Sequence, residues 1–354
     1  MIDGYEAALT NYRPLRYSHI SIPPGADYAL TADPWSYTHS FLLRGHDKRR
    51  GKNKKNFDRA IFFLELAQNF YNAADAADLP AKATLLYYGM LNMAKVVLSI
   101  SGVELERTYE HHGLTLPLGT KRKVKVSNPG AGQVSIFAEF ARLLGTPVAA
   151  ETSVSVEDAI AGVPELHSAR KSFAPDEKNR FLAIDVKFLT DSSHRRLLTA
   201  MVYDKKAEGL VTHGRIFKGK RKQYFRPPEA HNGQVWLVCQ RTRTPANWRN
   251  LTRAYNSILA EYEDFDICSI LTRNGYQYYL DLSPSAYHHL CNALIVMYYL
   301  GTAARYRPTE ISDVLAGDLR QSVTEACALC PRQFLYQIAS RITGSLCVIP
   351  YARI

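Results

Sequence analysis

The sequence predicts an α+β protein, mainly a helical bundle with an inserted antiparallel β-sheet. Three observations predict it. Apolar residues at Phe57, Ala60, Phe63, Leu64, Ala67, Phe70, Tyr71 and Ala74 recur at the spacing of one helix face. Across about 178–242 the pattern changes to short runs rich in β-branched and aromatic residues, such as RFLAIDVKFL, RRLLTAMVYD and QVWLVCQRT, broken by the turn signals TDSSH and KGKRK. Helical spacing then returns in WRNLTRAYNSILAEYEDF and AYHHLCNALIVMYYLGTAARY. The expected division is a loop-rich segment 1–56 packing on the bundle, a helical half 57–177, the β insertion 178–242, and a second helical half 243–354 packing on the first.

Residues 1–56 contain IPPGADY, DPWSY and the basic run HDKRRGKNKKN. A helix over 57–77 follows. Asp78 and Pro80 mark the start of the next helix, because proline tolerates a first helical turn. That helix runs from about Ala81 to Ile100, with Gly102 as its stop. It is apolar nearly all round, so it belongs at the centre, against 57–77 and 284–306. Its exceptions, Tyr88, Asn92, Lys95 and Ser99, fall at i, i+4, i+7 and i+11 and form one polar stripe. A buried polar stripe needs partners or water. It is either an internal hydrogen-bond network or the lining of a cleft or subunit seam. Residues 115–132 read as a basic Gly/Pro-rich loop, and QVSIFAEFARLLG as a short helix. Beyond the sheet, Ser283 and Pro284 read as the cap of a long helix whose His288, Asn292, Tyr299 and Tyr306 make a second polar line.

Composition bounds the function. Of 354 residues, 46% are hydrophobic and 22% charged, enough for a large core. The opening MIDGYEAALTNYR does not read as a signal peptide, and the longest apolar run, near Ala293–Leu300, is far short of the roughly 20 residues of a membrane span. The six scattered cysteines read as reduced thiols. A cytoplasmic protein without a membrane partner is expected. The net charge of +11 favours an anionic partner. Basic runs recur at 48–55, in KRKVK (Lys121, Arg122, Lys123), in KGKRKQYFR (Lys220, Arg221, Lys222, with Tyr224 to stack) and in QRTRTPANWR. Lysine and arginine contact phosphates and aromatics stack on bases, so RNA or another nucleic acid is the expected partner, against the plainer reading of solvated turns. No metal or cofactor is expected. Cys327 and Cys330 lack a second ligand pair, and GKNKKN lacks the spaced glycines of a phosphate loop.

KATLLYYGMLNMAKVVLSISG followed by HHGL resembles the core of the HEPN superfamily. DPWSYTHSFL, that same helix, HHGL and YYLGTAARYRPTEISDVL together resemble the YaaC-like family. The first resemblance implies a helical core shared by metal-independent ribonucleases, nucleic-acid binders and inert partners. In the ribonucleases an arginine, a polar residue and several variable positions precede a histidine. Arg107 and His112, with four residues between them and His111 alongside, match that spacing. Thr108 departs from the usual Asn, Asp or His, and Gly113 follows at once. The resemblance implies that His112 acts as base on a ribose 2′-OH or acid on the leaving oxygen, while Arg107 holds the phosphate. It also implies a homodimer, since such sites are usually assembled from both subunits. Arg305 and Arg307 either join the phosphate clamp or simply complement a helix C-terminus. The alternative is that His112 only anchors its loop, in a non-catalytic YaaC-like partner or scaffold subunit of a bacterial defence or toxin-like system.

Overall fold

The computed structural model describes residues 4–10, 12–105, 109–127, 130, 132–171, 179–191, 196–209, 216–217, 219–243 and 248–350. The chain divides into two compact units, one helical (31–177 and 284–343) and one built on a sheet (1–30, 178–283 and 344–354). The architecture is α+β.

The helical unit holds α1 (Pro34–Asp47), α2 (Gly51–Asp75), α3 (Leu79–Ile100), α4 (Ile136–Leu143), α5 (Val156–Ala161), α6 (Pro164–Lys171), α7 (His289–Tyr306), α8 (Pro308–Ala316) and α9 (Arg320–Thr343). As its composition requires, α3 is central. It packs most extensively on α2, then on α7 and α9, and residues such as Tyr87, Met90, Met93, Ala94, Val96 and Leu98 are wholly buried. It is the one helix among the described residues long and apolar enough to cross a membrane, and it is mostly buried within the protein. Two close approaches draw the bundle together: Gly301 of α7 lies against the Ala83–Thr84 backbone, and the Thr84 hydroxyl donates to the Gly301 carbonyl at 3.0 Å.

Three expectations need correction here. The N-terminal 56 residues are not one loop-rich segment. Asp33 caps α1 by accepting from the Trp35 and Ser36 amides, with Pro34 in the first turn, so DPWSY opens a helix, and the basic run at 51–55 begins α2. The cap of α7 is His288, whose side chain accepts from the Leu290 amide, and not Ser283. The sheet does not end at 242.

Among the described residues that sheet has seven strands: β1 (Tyr5–Ala7), β2 (Phe181–Asp191), β3 (Leu197–Asp204), β4 (Glu229–His231), β5 (Gln234–Val238), β6 (Ile267–Thr272) and β7 (Gly275–Asp281). All neighbours are antiparallel, in the order β4-β5-β3-β2-β7-β6, and β1 adds to β2. The hairpin β6–β7 turns at Arg273–Asn274, and the next residue, Gly275, which pairs with Thr272, takes φ 94°, a left-handed conformation that glycine adopts without strain. Along β2, Leu182, Ile184, Val186 and Phe188 are buried while Ala183, Asp185 and Lys187 face solvent. The helix Trp248–Tyr262 buries Ala254, Tyr255, Ile258, Leu259 and Tyr262 against the same core. Arg180 grips Asp281 with both of its carboxylate oxygens at 2.8–3.1 Å, a well-enclosed pair that ties the start of β2 to the end of β7. A short parallel pairing of Ala29–Leu30 with Cys347–Val348 joins the first and last segments of this unit.

Candidate functional site

The site is built where the loop after α3 returns to the bundle. Strand Tyr109–His111 pairs in parallel with Gln133–Ser135. Ser135 caps α4 by accepting from the Ala138 amide at 3.1 Å. The His112 carbonyl accepts from the Phe137 amide, and the Gly113 carbonyl from Ser127. Gly113 sits at φ 80°, and a side chain there would collide with the Ser135 hydroxyl. Thus the glycine after the histidines lets the chain turn closely over the α4 N-terminus, which fixes His112 from its backbone.

The half-buried His112 side chain meets α3. Its Nδ1 lies 3.0 Å from the Tyr87 hydroxyl, and its ring contacts those of Tyr87 and Tyr88 at 5.7 and 6.0 Å. Burial holds the imidazole pKa below its ordinary value, and the nearby cations Lys95 and Arg305 push the same way, against Glu110. The ring is therefore held toward its neutral form beside positive charge. A phenolic hydroxyl can donate to Nδ1 or accept from it, so Tyr87 supports either neutral tautomer and leaves Nε2 as base or acid accordingly. Arg305, at the exposed end of α7, donates to the Tyr88 hydroxyl at 3.1 Å and lies over the Tyr88 ring at 5.4 Å. Lys95 is ion-paired with Glu110 and sits 5.0 Å from the centre of the Phe63 ring.

The predicted residues are divided by this geometry. His112, Tyr88, Lys95 and Arg305 come together. His111 is a neighbour along the chain, half-buried, in the pairing with Ser135. Arg107 lies outside the described residues. The polar stripe is not one continuous seam: Asn92 donates back to the Tyr88 carbonyl at 2.8 Å, and Ser99 is wholly buried. Arg307 is not part of the niche. It donates to the carbonyls of Leu116, Pro117 and Thr120 and to Glu310, bracing the 116–120 loop. Glu310 is a hub that also accepts from the Tyr299 hydroxyl and the Arg122 amide, and Arg122 reaches on to Glu157 and Asp318.

In the sheet unit, Arg221 is 6% exposed and donates to the carbonyls of Ile216 and Phe265 and to Asp266. Tyr224 is buried among Phe225, Tyr262 and Phe265, so neither residue is presented to a nucleic acid. These two sit on a short helix, Lys220–Tyr224, in place of the expected turn. Lys121, Lys123, Lys220 and Lys222 remain exposed, with Lys220 paired to Asp264 and Lys121 to Asp313. No group of three or more metal-ligating side chains occurs among the described residues. Cys327 and Cys330 are buried in α9, and burial pushes the Cys327 thiol up to about 11, which suits packing rather than metal binding.

The family model described as YaaC-like Protein matches residues 31–342. The chain belongs to the YaaC-like family. No curated protein and no solved structure matches it. The matched span takes in the whole helical unit from α1 to the last turn of α9 and the sheet from β2 onward, so the His112 niche and the Glu310 hub both lie within the YaaC-like region. Sequence reasoning missed Tyr87 as the partner of His112 and Glu310 as the hub. The adjacent tyrosines of LLYYGM were a signal for the first, whereas only Arg307–Glu310 spacing hinted at the second.

Proposed function

We propose that this YaaC-like chain is an RNA-binding protein of HEPN type that acts on RNA at the His112 niche without a metal ion. The observation that carries the reading is a half-buried, neutral imidazole, oriented by Tyr87 and flanked by Arg305 and Lys95. Such a group accepts the 2′-OH proton as the 2′-oxygen attacks phosphorus, and a protonated imidazole returns a proton to the departing 5′-oxygen. Arg305 provides positive charge for the phosphate, and Arg107 is the second cation that the family resemblance implies. The active species is proposed to be a homodimer. The decisive experiment incubates the purified protein with labelled RNA, with and without EDTA, beside His112→Ala. Cleavage that survives EDTA and is lost in the variant supports the reading, while intact RNA at all protein concentrations sinks it.

A second reading, a non-catalytic partner subunit, draws on a different observation. In the helical unit Tyr109 is 86% exposed and Tyr306 71% exposed, rings that a protein partner would cover. Co-purification of one stoichiometric protein, together with uncleaved RNA, would favour it.

A further inference from the structure

The sheet unit contains a cleft that the reading above does not use. On one edge, β2 pairs with β7 from Phe181 to Ile184 and with β1 from Leu189 to Asp191. Between these stretches the β6–β7 hairpin parts from β2, and the segment Pro14–Tyr17 comes in through a bridge between Arg16 and Lys187. A cleft of about 550 Å³ opens there. Its lining includes Arg16, Tyr28, Lys187, Asn274, Tyr276 and Gln277.

We propose that this cleft binds one nucleotide, with the base against a tyrosine face and the phosphate at Arg16. The volume falls in the small-ligand range of roughly 300–1,000 Å³. The Arg16 guanidinium lies 5.1 Å from the centre of the Tyr28 ring and makes no ion pair among the described residues, whereas Lys187 is paired with Asp185. The cleft therefore carries one uncompensated, fork-shaped cation, the geometry that suits a phosphate. Tyr28, beneath Arg16, and Tyr276, beside the His19 ring at 4.6 Å, line the cleft with rings of the kind on which bases stack. The amides of Asn274 and Gln277 carry both donors and acceptors, as a base edge requires. A planar anion with a hydrogen-bonding rim meets all of these features together. A simple aromatic acid leaves the amides unused, and a sugar phosphate leaves the rings unused.

An adjoining cleft of about 390 Å³ shares Pro14 and Arg16 and adds Tyr12. Tyr12 is 99% exposed at φ 63°, a left-handed backbone that tyrosine seldom adopts. A ring held out in water beside the same arginine gives a neighbouring base somewhere to stack. The nucleotide is thus either free or one residue of a single strand, and the test separates the two sources.

Fluorophore-labelled AMP and a ten-residue single-stranded oligo(A) are titrated with the full chain and followed by anisotropy. Saturable binding of AMP, weakened about tenfold or more by Arg16→Glu, identifies a free-nucleotide site. Binding of oligo(A) alone, weakened likewise, identifies an RNA-held nucleotide. Arg16 is exposed, so the unfolding midpoint should not move. If it does, Arg16→Gln and Tyr276→Leu replace the variant, and the same weakening is expected of each. Binding of neither probe overturns the proposal, as does binding that the Arg16 substitutions leave unchanged. His112→Ala should leave AMP affinity intact. It should also leave oligo(A) affinity intact while removing RNA cleavage, so cleavage lost without binding tests the niche, and binding lost in Arg16→Glu tests the cleft.

Discussion

The Lys220–Lys222 run and the His112 niche both place cations close together, but they employ them in opposite ways. In the run, the middle residue turns inward. Arg221 commits its guanidinium to two carbonyls and Asp266, while Lys220 and Lys222 stay outside. At the niche, Arg305 stays exposed, Lys95 is half-buried, and the imidazole beside them is the group that is desolvated. The Lys121–Lys123 run repeats the first pattern, with Arg122 held by Glu310, Glu157 and Asp318 between two exposed lysines. Successive helix side chains point about 100° apart, so adjacent charges cannot all face one ligand. A cluster assembled from α3, α7 and a loop can.

The contrast is broken most directly at Arg221. Arg221→Ala leaves the Ile216 and Phe265 carbonyls without their donor and should cost roughly 3–4 kcal/mol in urea unfolding, whereas Lys220→Glu and Lys222→Glu should each stay within about 0.5 kcal/mol. Equal effects at all three positions would erase the distinction. Acid should come close behind. His289, buried against Gln337, has its pKa lowered to about 4 by desolvation. With an unfolded value near 6.5, the unfolded chain takes up the proton first as pH falls. Stability is therefore full above about pH 6.5 and drops by roughly 3 kcal/mol by pH 4. His112 shifts in the same direction and adds to the loss. Unfolding midpoints measured across that window should flatten in His289→Gln. A stability that is level from pH 7 to 4 would contradict the burial of this ring.

Smaller effects sharpen the niche itself. Gly113→Ala places a side chain at positive φ against Ser135 and should cost about 2 kcal/mol, with disordering of His112 visible in its NMR signals. Tyr87→Phe removes the hydroxyl facing Nδ1 and should cost about 1 kcal/mol, while the pH profile of any RNA cleavage shifts as the tautomer preference is lost. Lys121→Glu and Lys123→Glu should do least: unchanged stability and, if the chain binds RNA as proposed, a fall in the salt dependence of that affinity by about 1 per charge removed.

How much could be read beforehand follows from the range of each interaction. The central helix was legible because its apolar surface is a property of its own residues. The α1 cap is equally local and Asp33–Pro34 carries it, yet a proline among IPPGADY and DPWSY marks a loop as readily as a first helical turn. The β6–β7 hairpin is signalled by Asn274–Gly275 between β-branched and aromatic runs, but it lies between two strong helical patterns, inside the span 243–354 that these assign to a helical half. The fate of individual arginines was not legible. Arg307 ends on the carbonyls of Leu116, Pro117 and Thr120, nearly two hundred positions away, and periodicity reports which face is buried without naming the buried partner. The two histidines of HHGL stand out in the sequence, but the tyrosine that orients one of them is set by a turn whose backbone pairing with Gln133–Ser135 no local pattern announces.

The pairing of Ala29–Leu30 with Cys347–Val348 has a consequence for biosynthesis. The sheet unit draws on three separated stretches of chain, and the helical unit on two that enclose one of them. A ribosome adding about 5–20 residues per second needs roughly 15–60 s between making the first partner of that pair and the last. Throughout that interval Ala29–Leu30 has no strand to receive it, and α3 waits for α7 and α9 to cover two of its faces. The helical unit cannot close until 178–283 of the sheet unit has been made, the sheet unit closes last of all, and the exposed flank of α3 is the surface a chaperone would meet on the nascent chain.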